Sequence, residues 1–223
     1  MKGNLERIEK RSAEQQALAS LRSFILSGHL TPGERLTEAA IAGHLGVSRA
    51  TVRTSMHRLA SEGILVQIPY TGWQVATITA KDAWELWTLR GSLEGLAAQL
   101  VCQSTDDRKR NKIKIAFDAL KAAVSASDID TVNDCDFNFH RTIVELAEHS
   151  RLLDQYIMVE NQIRLYIEVS NKLLENNLKV IIKQHAPLTK ALLESDATQA
   201  QFEAWNHNFT EGQKLVETLQ RMN

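Results

Sequence analysis

The sequence predicts a mainly α protein in two parts: a small N-terminal module of three short helices and a β-hairpin, then an antiparallel bundle of six helices. Three observations predict this. Up to residue 78 the apolar pattern switches from helical to alternating, with glycine and proline at the breaks. From Thr79 onward the pattern stays helical, with Pro187 the only proline. Charge divides at the same place: residues 1–78 carry 9 Lys/Arg against 6 Asp/Glu, and the remainder 17 against 21. A basic part joined to an acidic one points to an anionic partner for the first part only.

Each element has its own signal. Ala17, Leu18, Leu21, Phe24 and Ile25 recur at helical spacing between Glu14 and Ser27, and Gly28 stops that helix. Thr31-Pro32-Gly33 makes a turn. Thr37 caps a short second helix whose apolar face is Ala40, Ile41, Ala42 and Leu45. After Gly46-Val47 a third helix runs from about Arg49 to Ser61, capped by Ser48 and ended by Gly63. Two β-type runs, Ile64–Ile68 and Trp73–Ile78, flank Pro69-Tyr70-Thr71-Gly72 as a hairpin. Three helices with a tight turn between the last two, then a hairpin, describe a winged helix-turn-helix. Thr79 caps the next helix, with Asp82 in its first turn. The bundle helices are expected at roughly 80–103, 106–126, 129–148, 150–171, 174–195 and 197–221. The expected domains are therefore 1–78 and 79–223.

Hydrophobic residues make up 43% of the chain and charged residues 24%, ordinary values for a protein with a core. No apolar run of about 18 residues is present to cross a membrane. Met1–Arg11 is polar and charged, without the apolar stretch of a secretory signal. Cys102 and Cys135 lack metal-type spacing and fit a reducing compartment. A cytoplasmic protein with no membrane partner is expected.

The third helix carries the chemistry of the first domain. Val52, Met56 and Leu59 form a packing stripe, while Arg49 and Arg53 stand one turn apart near its N-terminus. That end is what a recognition helix presents to base edges, and arginine can bond guanine at two points. Thr51 and Thr54 can reach phosphate or base, and Gly72 would let the wing backbone approach the sugar-phosphate chain. Two arginines on an exposed helix are also compatible with plain solvated charge.

The run Leu36-Thr-Glu-Ala-Ala-Ile-Ala-Gly-His-Leu-Gly-Val-Ser-Arg49, continuing through Val52-Arg53 to Leu59, Glu62-Gly63 and Gly72, resembles the GntR family of bacterial regulators. Leu30-x-Pro-Gly-x-x-Leu36 matches as well. The resemblance implies that Arg49, Arg53 and Gly72 contact double-stranded operator DNA and that Ser48 provides the N-cap contact. Ala50-Thr51 departs from the family's common Thr-Pro, losing a helix-favouring proline in the first turn.

In the second domain, Asp136 and His140 are four residues apart on one expected helix and share a face. His185 and His207 are equidistant from Asp196, at the turn of an expected helical hairpin, so they stand at one height. One carboxylate and three imidazoles can then converge, a set suited to zinc first, or to nickel, manganese or iron. Separate hydrogen-bonded core or surface histidines are the other reading. Asp136-x-x-Phe-His140, Gln184-His185, Ser195-Asp196 and His207, with Leu89-Arg90-x-x-Leu-Glu94 before them, resemble the FCD-type domain of the FadR-like branch of the family. Six helices are similar to its VanR-like subgroup. The resemblance implies a divalent metal on Asp136, His140, His185 and His207, and a small carboxylate effector beside it. Two readings of Arg90 stand: it pairs that carboxylate, or it pairs Glu94 one turn on.

The expected protein is a homodimeric DNA-binding transcriptional regulator, a repressor, controlled by that carboxylate and not an enzyme; no nucleophile or general base stands at fixed spacing. Two alternatives are a metal-dependent helical-bundle enzyme with a DNA-targeting module, and a DNA-binding protein with a purely structural metal.

Overall fold

The computed structural model describes residues 12–104, 106–172 and 177–222. It divides into two compact units, with the boundary between Ala76 and Thr77.

In the first unit, α1 (Ala13–Phe24) starts at a capping box in which Ser12 and Gln15 satisfy each other's backbone N–H groups. The chain does not stop at Gly28 as expected. It makes a wider π-type turn over Ile25–His29 and leaves at Leu30. Apolar spacing misses this because Ile25 still points into the core. A two-residue strand, β1 (Arg35–Leu36), precedes α2 (Glu38–Leu45) and α3 (Arg49–Ser61). The hairpin strands are β2 (Leu65–Ile68) and β3 (Gly72–Val75), and the antiparallel sheet has the order β1-β3-β2. The third strand was absent from the sequence expectation, since two residues show no alternation.

Thr37 caps α2 through the Ala40 N–H, and Ser48 caps α3 through the Thr51 N–H. Val52, Met56 and Leu59 are fully buried against Leu18, Leu21, Ile25, Trp73 and Val75. Gly72 has a φ of 113°, and a Cβ there would press on the Leu36 carbonyl oxygen at 3.0 Å. Glycine is thus required by the sheet itself.

The second unit holds α4 (Ala80–Cys102), α5 (Asp107–Ala126), α6 (Ile129–Leu146), α7 (Ser150–Lys172), α8 (Lys179–Leu193) and α9 (Ala197–Met222). Thr79 and Asp82 form a capping box at α4, and Asp128 caps α6 through the Thr131 N–H. The expected start of the fifth bundle helix at residue 174 lies outside the described residues; the helix as described begins at Lys179, after Leu178. Helices α4 and α9 form the most extensive contact in the bundle. They come close because position 212 is glycine: a Cβ there would overlap the Trp87 ring. Phe137, Phe139, Ile113, Tyr156, Ile163 and Leu188 form the centre of the core.

Among the described residues, no helix is long and apolar enough to cross a membrane.

Candidate functional site

The residues singled out in the first unit cluster around α3. Arg49 and Arg53 are both exposed on it. The hydroxyls near its start are engaged locally: Ser48 Oγ lies 2.9 Å from Thr51 Oγ1, and Thr54 Oγ1 donates to the Ala50 carbonyl at 3.1 Å. Arg53 makes a two-point fork on Glu38 of α2, Nε to Oε1 and Nη2 to Oε2, each at 2.8 Å. Trp73 of β3 donates its indole N–H to Glu38 Oε1 at 3.4 Å. Hydrogen bonding and the charge of Arg53 hold the Glu38 carboxyl below its ordinary range against a smaller opposing effect of burial. At the wing tip Tyr70 is fully exposed with a φ of 63°. Sequence reasoning missed Glu38, Trp73 and Tyr70; for Tyr70 the one available signal was an aromatic in a turn segment.

In the second unit, Asp136, His140, His185 and His207 meet inside the bundle. All four are buried, none more than 7% exposed. His140 and His185 face each other Nε2 to Nε2 at 3.0 Å. Asp136 Oδ1 lies 3.5 Å from His140 Nε2 and 3.4 Å from His185 Nε2. The His207 ring stacks on His140 with centroids 4.9 Å apart and sits 4.4 Å from His185. Ligand nitrogens of the three histidines all fall within 4.8 Å of one another.

The surrounding groups set which nitrogens are free. His185 Nδ1 lies 2.8 Å from the Ile181 carbonyl, which only accepts, so this nitrogen carries a proton, and Asp136 beside Nε2 raises the ring above its ordinary range against burial. His140 Nδ1 lies 2.9 Å from Glu94 Oε2, and burial pushes this ring below its ordinary value, so it is neutral with Nε2 facing His185. Nε2 of His140, Nε2 of His185 and Asp136 Oδ1 therefore converge on one point, where a proton or a metal cation offsets the carboxylate charge. A divalent cation could take the place of that proton. Burial alone would raise the Asp136 carboxyl, but His185, His140 and Arg90 outweigh it and hold it below the usual carboxylate range. Burial pushes His207 well below its ordinary value, helped by His185 and His140, so that ring is neutral. Nitrogen and oxygen donors, buried and oriented by a second layer of acceptors, are what a divalent transition metal requires.

That second layer centres on Glu94, which sequence reasoning treated only as a partner for Arg90. Its Oε1 accepts from Arg90 Nε at 2.7 Å and Tyr156 OH at 3.1 Å, and its Oε2 accepts from Asn208 Nδ2 at 2.8 Å. Burial would raise this carboxyl, but Arg90 and His140 hold it well below its usual range. Asn171 donates to Asp136 Oδ2 at 3.2 Å. Arg90 satisfies both of its readings geometrically. Its Nε pairs with Glu94, while its Nη2 has no hydrogen-bond partner, and the residue lines a cavity with Asp136, His185, His207, Ser170 and Glu211. His207 Nδ1 is also buried without a hydrogen-bond partner. The free space there is about 10 Å³, room for about one water-sized body.

Comparison with known proteins matches both units. Residues 13–75 match the bacterial regulatory proteins of the gntR family, and residues 85–208 match the FCD domain. The chain is 27% identical over 166 residues to YdhC of Bacillus subtilis (strain 168), an uncharacterized HTH-type transcriptional regulator, covering 74% of each. It is 26% identical over 218 residues to the gluconate operon transcriptional repressor of the same organism, covering 95% of this chain and 88% of that one. The solved structure of E. coli McbR/YncC shares the fold, with a TM-score of 0.76 at 20% identity over 96% of this chain and 100% of that one. The chain belongs to the GntR family, in the branch that carries an FCD domain, and is a transcriptional regulator.

Proposed function

We propose that the protein is a homodimeric cytoplasmic repressor that releases operator DNA when a small carboxylate binds beside a divalent metal in the second unit. The observation that carries this reading is the convergence of His140, His185, His207 and Asp136, whose ring nitrogens and carboxylate oxygen face one another in the buried core. Those four residues would hold the metal, zinc first by its donor set, with nickel, manganese or iron as alternatives. When bound, the metal supplies positive charge and an open position for a ligand oxygen. Arg90 supplies the second anchor, because its unpartnered Nη2 can donate to the other carboxylate oxygen. Glu94 fixes both Arg90 and His140, so a ligand that pulls on either is felt along α4 and α6. The gluconate operon repressor among its relatives acts on an operon named for a carboxylate, which supports that ligand class.

On the DNA side, the exposed Arg49 and Arg53 read base edges, and Ser48, Thr51, Thr54 and Gly72 complete the contact surface. A two-fold dimer presents two such helices to a symmetric operator. Ligand binding alters affinity only insofar as the ligand prefers one arrangement of the dimer over the other.

One observation favours a second reading. Space for about one water-sized body is tight for a metabolite, as a purely structural metal would require. A single titration separates the two. DNA selected from a random duplex library by the full-length protein is bound, and gluconate and other small carboxylates are added with and without prior metal chelation. Release that requires both metal and carboxylate supports sensing. Chelation that melts the second unit, with no carboxylate releasing DNA from the intact protein, supports the structural metal instead.

A further inference from the structure

The arrangement around Arg53 says more than that an arginine is exposed. Glu38, the first residue of α2, meets the guanidinium at two points, Nε and Nη2, each at 2.8 Å. The carboxylate is itself held from behind by the indole N–H of Trp73, whose side chain is buried in the wing sheet. The Glu38 side chain is 15% exposed and that of Arg53 58%. The acceptor is thus the fixed half of the pair, and the cation lies outside it. Of five guanidinium N–H donors the fork occupies two, and three remain on a side chain that is more than half exposed.

We propose that Glu38 is a specificity-determining positioning residue for DNA binding. It holds the Arg53 fork in one orientation so that the remaining donors meet a base edge, and it cancels the charge of Arg53 towards phosphates of arbitrary sequence. This rests on the reading of α3 as the helix that meets DNA. Affinity for arbitrary sequence is set by the number of uncompensated cations near the phosphates, so a pre-paired arginine contributes little to it. Affinity for the right sequence depends on donors that need no reorientation on arrival. One carboxylate therefore acts on the two affinities in opposite directions.

The test uses the full-length protein, a duplex it selects from a random-sequence library, and the unselected library itself. Affinities for both are measured across a salt series for wild type and Glu38→Gln. In Glu38→Gln the affinity for the unselected library is expected to rise about threefold, with the salt slope steeper by about one. Its affinity for the selected duplex is expected to fall about tenfold. Opposite signs are the signature. If Glu38 merely clamped α2 to α3, both affinities would fall; if it were only a repelling charge, both would rise; either result overturns the proposal. Trp73→Phe keeps every charge, so the ratio of the two affinities should fall with the salt slope unchanged; an unchanged ratio in both variants also overturns it. In an Arg53→Gln background Glu38→Gln should leave the ratio unaltered, and a further fall there counts against the proposal. A wild type that selects no duplex would remove the reading of α3 and this proposal with it.

Discussion

Two arginine–glutamate pairs, one in each unit, have nearly the same closest distance and opposite character. Arg53 and Glu38 meet at 2.8 Å with the arginine 58% exposed; Arg90 and Glu94 meet at 2.7 Å at 3% and 1% exposure. In water the first pair contributes little to stability, and its arginine keeps donors to spare for a base edge while it stays paired. In the bundle, neither charge can lose its partner without being left uncompensated in a dry interior. The first unit thus keeps its charge pair at the surface, and the second keeps its pair buried around a centre.

The largest expected effect comes from breaking the buried pair. Glu94→Ala leaves Arg90 without its carboxylate and should destabilise the second unit by about 3–5 kcal/mol, measured by chemical denaturation. A loss below about 1 kcal/mol would mean that Arg90 already has solvent or another partner, and the contrast between the pairs would disappear. Next comes Gly212→Ala. Alanine gains up to about 1 kcal/mol of helix propensity, but its Cβ overlaps the Trp87 ring, so a net loss of about 1–3 kcal/mol is expected. A more stable variant would show that α4 and α9 can separate there at little cost. Smaller again is Ser48→Ala, which removes the N-cap of α3 and should cost about 1 kcal/mol, read from the thermal unfolding of the first unit. Smallest is the effect of Glu38→Gln on stability, a melting temperature within about 2 °C of wild type. A large drop would place the exposed pair in the same class as the buried one.

The same contrast explains what was legible in the sequence. The first unit is made of local signals: the caps Thr37 and Ser48, the stripe of Val52, Met56 and Leu59, and the hairpin were all visible from neighbours in the chain. Its misses were also local. A two-residue strand at Arg35–Leu36 has no alternation to detect, and the π-type turn after Phe24 leaves helical spacing intact. The four candidate ligands of the second unit were legible because Asp136 and His140 share one helix face and because His185 and His207 mirror each other about Asp196. Glu94 was not, since its role exists only once Asn208, 114 residues away, and Tyr156, 62 residues away, are folded onto it. An i, i+4 spacing identified its partner Arg90, but nothing in the chain indicates that one carboxylate serves four side chains.

The central claim is that the imidazole and carboxylate groups buried in the second unit hold a metal. It is tested most directly by elemental analysis of the purified, untagged protein, comparing wild type with His140→Ala and His207→Ala. Near-stoichiometric divalent metal is expected in wild type and its loss in both variants, each still folded by circular dichroism. Wild type prepared in metal-replete medium and still free of metal would contradict it.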